Sequence, residues 1–241
     1  MEHAVEIEGV SKSYGKKLVL EDIGFLIGEG MIYGLIGPSG SGKTTLVKMI
    51  VGITEPDAGA IHIFGVKVPN LELLEKVGYM AQADALYTEL TGKENLDFFA
   101  SLYPMKSTAR KKRIAYAAGI VNLTAELGKR VSAYSGGMKR RLSLAIALVH
   151  NPKLLILDEP TVGMDPELRL SVWTELLHLK KEHQKTIIIT THVMDEAERC
   201  DIVSLVREGR ILATGTPTEL KQAYGAMDLE EVFLKAGREH R

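Results

Sequence analysis

Gly37-Pro38-Ser39-Gly40-Ser41-Gly42-Lys43-Thr44 reads G-x-x-x-x-G-K-[ST], the pattern of a phosphate-binding loop. The flanks fit. Met31 to Ile36 is an apolar run that predicts a buried strand. From Thr44 to Val51, residues Leu46, Val47, Ile50 and Val51 make a helical apolar stripe, stopped by Gly52. Gly37, Gly40 and Gly42 allow a tight turn that brings successive N–H groups toward an anion. The helix that follows adds the partial positive charge of its N-terminus. Lys43 suits the outer phosphates as a point charge, and the Thr44 hydroxyl suits Mg²⁺. A flexible Gly/Ser turn would not need a Lys-Thr pair at its end.

Working outward, Val5, Ile7 and Val10 alternate partly with Glu6 and Glu8, as in a half-exposed strand. Leu18, Leu20 and Ile23 to Ile27 predict a second strand and Ala60 to Phe64 a third. Residues 1–30 and 58–68 are therefore read as an antiparallel sheet beside the loop. Val77 to Met80 is strand-like and leads to Gln82. From about Thr91 to His150 the spacing turns helical, with segments around 96–102, 114–121 and 138–149. After Pro152, short apolar runs at 154–157, 186–190 and 202–206 alternate with helical stretches. That order implies a parallel sheet covered on both faces. Glu208-Gly209 predicts a hairpin turn, and Arg110 to Arg113 reads as a solvated helix face.

Acidic and polar residues stand where strands end, the place where parallel sheets bind ligands. Asp158 and Glu159 follow Leu154 to Leu157. Asp158 is placed to hold Mg²⁺ through water, and Glu159 to polarise an attacking water as general base. His192 follows Ile187 to Thr191 and suits a γ-phosphate oxygen or that water, although by itself it is an ordinary strand-end residue. Gln82 alone is a polar loop residue. Ser135-Gly136-Gly137 opens a helix, either as a cap or as a second anion site. The first loop already supplies one phosphate site, so a second one suits a partner's nucleotide in a head-to-tail dimer.

Composition narrows the classes. The chain has 241 residues, 45% hydrophobic and 25% charged, with net charge −1. It lacks the basic field that nucleic-acid binding calls for. Cys200 is the single cysteine, so no intramolecular disulfide forms. No apolar run reaches the roughly 20 residues of a membrane span, and the first residues do not read as a signal-peptide core. A membrane role would need another chain.

Together these residues resemble the nucleotide-binding subunit of ABC transporters, over nearly the whole chain and with the motifs in order. By that resemblance Tyr14 stacks on adenine, and Gly37, Pro38, Ser39, Gly40, Ser41, Gly42, Lys43, Thr44 and Thr45 form Walker A. Gln82 is the Q-loop, Ser135-Gly136-Gly137 the signature core, Leu154 to Asp158 Walker B, Glu159 the catalytic glutamate, Asp165 the D-loop aspartate and His192 the switch histidine. It implies ATP and Mg²⁺ as cofactors, the metal held by Thr44, Gln82 and Asp158, with Glu159, His192 and Lys43 catalytic. The implied fold is α/β, a RecA-like P-loop core with an N-terminal antiparallel β-subdomain and an inserted α-helical subdomain. The corresponding segments are 1–82, 83–150 with the signature, 151–220, and a helical tail at 221–241.

The resemblance further implies that two such domains close on two ATP molecules and drive a separate transmembrane permease at the cytoplasmic face of the cell membrane. A homodimer is expected, or a heterodimer with a related ATPase chain; no nucleic acid is. The signature departs from Leu-Ser-Gly-Gly-Gln, reading Tyr134 to Met138. With Met138 to Arg141 and the tail Asp228 to Leu234, it resembles an exporter branch of daunorubicin-resistance-type and sodium-extrusion ATPases. The alternative is a non-transport ABC ATPase clamping a soluble scaffold; a small-molecule kinase would leave Ser135 to Gly137 and His192 without a purpose.

Overall fold

Strand β1 (His3–Tyr14) pairs antiparallel with β2 (Lys17–Gly28), placing Ile7 opposite Phe25 and Val10 opposite Ile23. Its alternation buries Val5, Ile7 and Val10 and leaves Glu8 exposed. A register shift between Ile7 and Val10 coincides with Gly9 at φ +57°, a bulge that glycine makes without strain. The computed structural model describes residues 3–239. Met1 and Glu2 of the first sequence segment, and His240 and Arg241 of the tail, lie outside the described residues.

The chain divides into two compact units, one of residues 1–73 and 186–241, the other of residues 74–185. Unit one holds two sheets. β3 (Ile32–Ile36) is buried throughout and is followed by α1 (Lys43–Ile50). β4 (Ala58–Ile63) and β5 (Val66–Lys67) complete an antiparallel sheet in the order β2-β1-β4-β5. The second half of this unit begins with β8 (Thr186–Thr191), also buried at every position, and the short α6 (Met194–Ala197). β9 (Ile202–Arg207) and β10 (Arg210–Gly215) come next. β3 lies between β8 and β9, parallel to both, and β10 runs antiparallel to β9. Continuous apolar runs suit these central strands because both faces are covered. Glu208 at φ +51° and Gly209 at φ +79° make the tight β9–β10 turn. Two helices finish the unit, α7 (Pro217–Ala223), capped reciprocally by Thr216 and Glu219, and α8 (Leu229–Glu239), which buries Leu229, Val232 and Ala236.

Unit two contains β6 (Val77–Met80) and β7 (Leu154–Asp158), a parallel pair that sets Met80 beside Leu157. Between them run α2 (Gly92–Ser101), α3 (Ser107–Ile120) and α4 (Gly136–Leu148), and after them α5 (Pro166–His183). Thr91 and Glu94 form a capping box on α2. α4 presses on β6 so closely that a Cβ on Gly78 would meet the carbonyl of Ala147 at 2.2 Å.

The run Arg110 to Arg113 corrects the reading of a uniformly solvated face. Lys111 and Lys112 are exposed, but Arg113 turns inward. Its Nη2 donates to Leu148 O at 2.7 Å and its Nε to Val149 O at 3.1 Å, capping the end of α4. A cationic side chain gains more from these orphan carbonyls and the helix dipole than from water.

Candidate functional site

The phosphate loop lies wholly in unit one, between β3 and α1. Gly37 cannot be replaced without moving backbone, since a Cβ there would meet Val206 O at 2.1 Å. Gly42 takes φ +105° and caps α1 with no side-chain hydrogen bond, so its first-turn N–H groups remain for an anion. Gly40, at φ +80°, has open space around it. Lys43, buried on α1, donates to Gly37 O at 2.7 Å and Pro38 O at 3.0 Å, which holds its ammonium over its own loop. Ser41 Oγ is buried and has no hydrogen-bond partner among the described residues, a donor of the sort an anion takes up. Pro38 and Ser39 are exposed, and Thr44 and Thr45 half-buried on the first turn of α1.

β8 brings His192 to the same loop. Ile36 pairs with Thr191 in register, and Gly37 N–H donates to Thr191 O at 3.4 Å. Thr191 Oγ1 donates to Glu196 Oε2 at 2.7 Å and accepts from Val193 N at 3.0 Å, so the residues on both sides of His192 are pinned. The His192 side chain is exposed. Tyr14 ends β1, half in solvent, with Lys12 Nζ 5.8 Å from its ring centroid. An exposed aromatic face suits base stacking, worth roughly 1–3 kcal/mol.

The remaining candidates lie in unit two. Asp158 ends β7 fully buried, and Glu159 follows at φ +52°, left-handed backbone that a non-glycine residue seldom adopts. Gln82 leaves β6 at the same end of the parallel pair, and its Nε2 donates to Glu159 Oε2 at 3.5 Å. Burial, then the Asp158 carboxylate, push the Tyr79 hydroxyl up to about 12, so it stays protonated.

Ser135 caps α4, its Oγ accepting from Met138 N at 3.2 Å. Ser135 and Gly136 are exposed, and among the described residues nothing beyond its own turn lies within 4 Å of a Cβ built on Gly136. Packing within the chain therefore does not call for glycine there, whereas close approach of an external anion does. Asp165 caps α5, Oδ1 accepting from Leu168 N at 2.9 Å, with Pro166 in the first turn. Its visible work within the chain is that cap.

Sequence reading missed Arg140, Asp84 and Ser143. Arg140 is buried on α4 and reaches backbone on both sides of Gln82 and of Glu159. The signal available was its spacing, since Arg140, Leu144 and Leu148 fall on one helical face that is buried. A cavity of about 720 Å³ opens between α3 and α5, lined by Tyr116, Leu170 and Glu175 among others, and no sequence-predicted site residue lines it.

The glycine-rich loop between β3 and α1, with Lys43 and Thr44 at its end, defines a P-loop nucleotide-binding domain. The family model "ABC transporter" matches residues 20–162. The chain belongs to the ABC transporter family. It is 43% identical over 233 residues to Nod factor export ATP-binding protein I of Rhizobium johnstonii, covering 95% of this chain and 75% of that protein. It is 44% identical over 238 residues to ABC transporter G family member 23 of Dictyostelium discoideum, covering 97% of this chain but only 34% of that relative. Among solved structures, an ATP-binding subunit of an ABC transporter superposes with TM-score 0.89 at 29% identity, covering 97% of this chain and 99% of that one. A dimeric ATP-binding cassette in a post-hydrolysis state, bound to ADP and Pi, gives TM-score 0.82 at 27% identity, over 88% of this chain and 98% of that one. The chain is thus an ATP-binding and ATP-hydrolysing component of an ABC transporter, with the mixed α/β fold of those cassettes.

Proposed function

We propose that this chain powers export through a separate transmembrane permease, by ATP-driven closure of a dimer. Walker A of one copy, residues 37–45, holds the ATP phosphates, and Ser135-Gly136-Gly137 of the second copy completes the site. The observation that carries this reading is α4's N-terminus. It is capped by Ser135 and bears an exposed glycine that no intrachain contact requires. The similarity to a dimeric cassette and to proteins named for Nod factor export supports it. None of the described helices is long and apolar enough to cross a membrane. In this proposal the chain sits at the cytoplasmic face, attached through the permease.

Each candidate residue has a chemical part. Lys43 and the loop N–H groups offset phosphate charge. Glu159 orients and deprotonates the attacking water, and His192 donates to the γ-phosphate. Tyr14 stacks on the base, and Asp165 holds the turn that presents the α5 end. The donors Thr44, Gln82 and Asp158 are hard oxygens, the set Mg²⁺ prefers; the ion would neutralise charge on the transferring phosphoryl group.

The test is to express tagged Glu159→Gln protein in its native cells, add ATP-Mg²⁺ and identify what co-purifies from detergent extracts. A polytopic membrane protein recovered only with ATP supports the transporter reading. Recovery of soluble partners alone, with no membrane protein above background, overturns it in favour of a clamp acting on a soluble scaffold.

A further inference from the structure

Arg140 is 7% exposed, on the face of α4 turned toward β6 and β7. Its guanidinium donates to four backbone carbonyls in unit two. Nη1 reaches Ala81 O at 2.7 Å and Gln82 O at 2.9 Å. Nη2 reaches Glu159 O at 2.8 Å and the carbonyl of Asp158. Asp84 Oδ1 stands 3.7 Å from Nη1 and accepts from Ser143 Oγ at 2.8 Å, a second tie between α4 and the segment after β6.

The identity of those four acceptors matters. Ala81 O and Gln82 O belong to the two peptide units flanking the Gln82 Cα. Asp158 O and Glu159 O belong to the two flanking the Glu159 Cα. One guanidinium therefore orients the peptide planes on both sides of two residues whose side chains meet at 3.5 Å. Glu159 also sits at φ +52°, backbone that persists only where surroundings hold it. A planar fork with five donors serves four carbonyls; the amide of glutamine or the point charge of lysine does not. Burial lowers the Arg140 pKa, while Asp84, Asp158 and Glu159 oppose that fall. An arginine keeps its charge through such a fall, so the fork stays intact.

We infer that Arg140 is a positioning residue for ATP hydrolysis, setting Gln82 and Glu159 relative to each other from the helix that carries Ser135 to Gly137. The inference rests on the reading of Glu159 as the general base. It gives α4 a mechanical part: movement of this helix, when a second copy's nucleotide engages its N-terminus, shifts both residues together.

The experiment measures kcat, KM, equilibrium binding of a fluorescent ATP analogue and melting temperature. The proteins are wild type, Arg140→Gln, Arg140→Lys, Glu159→Gln and the Arg140→Gln/Glu159→Gln double variant. Arg140→Gln is expected to lower kcat by about tenfold or more with KM and analogue affinity within about threefold. Arg140→Lys is expected to recover part of that loss. In the Glu159→Gln background, phosphate release in a single turnover is expected to change by less than about twofold on adding Arg140→Gln, because the residue being positioned is already disabled. If Arg140→Gln fails to bind the analogue, Arg140→Lys carries the test, with kcat reduced about threefold or more and binding intact.

Unchanged kcat in both single variants overturns the inference. So does an equal fold-loss in the two backgrounds, which would mark a role independent of Glu159. Failure of the base assignment is seen separately, as normal turnover in Glu159→Gln alone, and it removes the inference with it.

Discussion

Gln82 Nε2 donates to Glu159 Oε2 across 3.5 Å, at the long end of hydrogen-bond distances. The two residues leave β6 and β7 at the same end of a parallel pair, each two positions beyond the matched Met80 and Leu157. A contact this long is readily exchanged for a water or a metal ion. Glu159→Gln keeps the shape and removes the basicity, so analogue binding should stay within about threefold while turnover falls about a hundredfold or more. Lys43→Ala should do the opposite first, weakening nucleotide binding itself by about tenfold or more through loss of the phosphate-facing charge. Phosphate-release kinetics beside equilibrium binding separate the two. Normal turnover in Glu159→Gln would remove the assigned base.

Gly136→Ala tests the second helix N-terminus. A Cβ there has nothing within 4 Å among the described residues beyond its own turn, and alanine is the better helix former by about 0.5–1 kcal/mol. Melting temperature should hold or rise. If a partner copy's phosphate approaches that backbone, turnover should fall about tenfold or more, since one extra methyl group blocks close contact. Full activity in a stable Gly136→Ala protein would contradict the shared site.

Gly37→Ala should behave differently. Here the added Cβ lies 2.1 Å from Val206 O, a backbone atom of β9 that cannot swing aside. Overpacking of this kind costs about 1–3 kcal/mol. Both melting temperature and nucleotide affinity should drop, because the shift displaces the start of the loop. Retained stability with lost binding would mean that the loop adjusts without disturbing β9.

The phosphate loop was legible because its chemistry is local: glycines, a lysine and a threonine act within eight consecutive residues between a strand and a helix. Strands β3, β7 and β8 were legible for a related reason, since complete burial demands continuous apolar runs. Arg140 was not. Its acceptors are backbone carbonyls 58 and 59 positions away in one direction and 18 and 19 in the other. A carbonyl is present at every residue and leaves no mark in the sequence. Arg113 escaped for the same reason, read as one charge in a basic run although it caps α4. Left-handed backbone at Glu159 was equally hidden, because no glycine or asparagine announces it.

His150 gives the domain an acid-sensitive point away from the nucleotide residues. Its ring stacks on Tyr103 with centroids 3.8 Å apart and planes 2° from parallel, and Nε2 lies 3.2 Å from Val77 O. Burial, helped by Arg113 and Lys185 and opposed by the Val77 contact, pulls its pKa down from 6.5 to about 4. The folded protein thus keeps the ring neutral where the unfolded chain would protonate it. This contribution to stability is complete above about pH 6.5 and is lost as pH falls toward about 4, amounting to about 2–3 kcal/mol. His150→Phe retains the stacked ring without the titration. At pH 7 it should be equal to wild type or weaker by about 1 kcal/mol, for the lost Val77 hydrogen bond. Carboxylates also titrate at low pH, so the informative quantity is the difference between the two proteins in urea melts at about pH 7 and about pH 4.5. That difference should move in favour of His150→Phe by about 2–3 kcal/mol as pH falls. Parallel stability curves for the two proteins would show that His150 protonates without disturbing the fold.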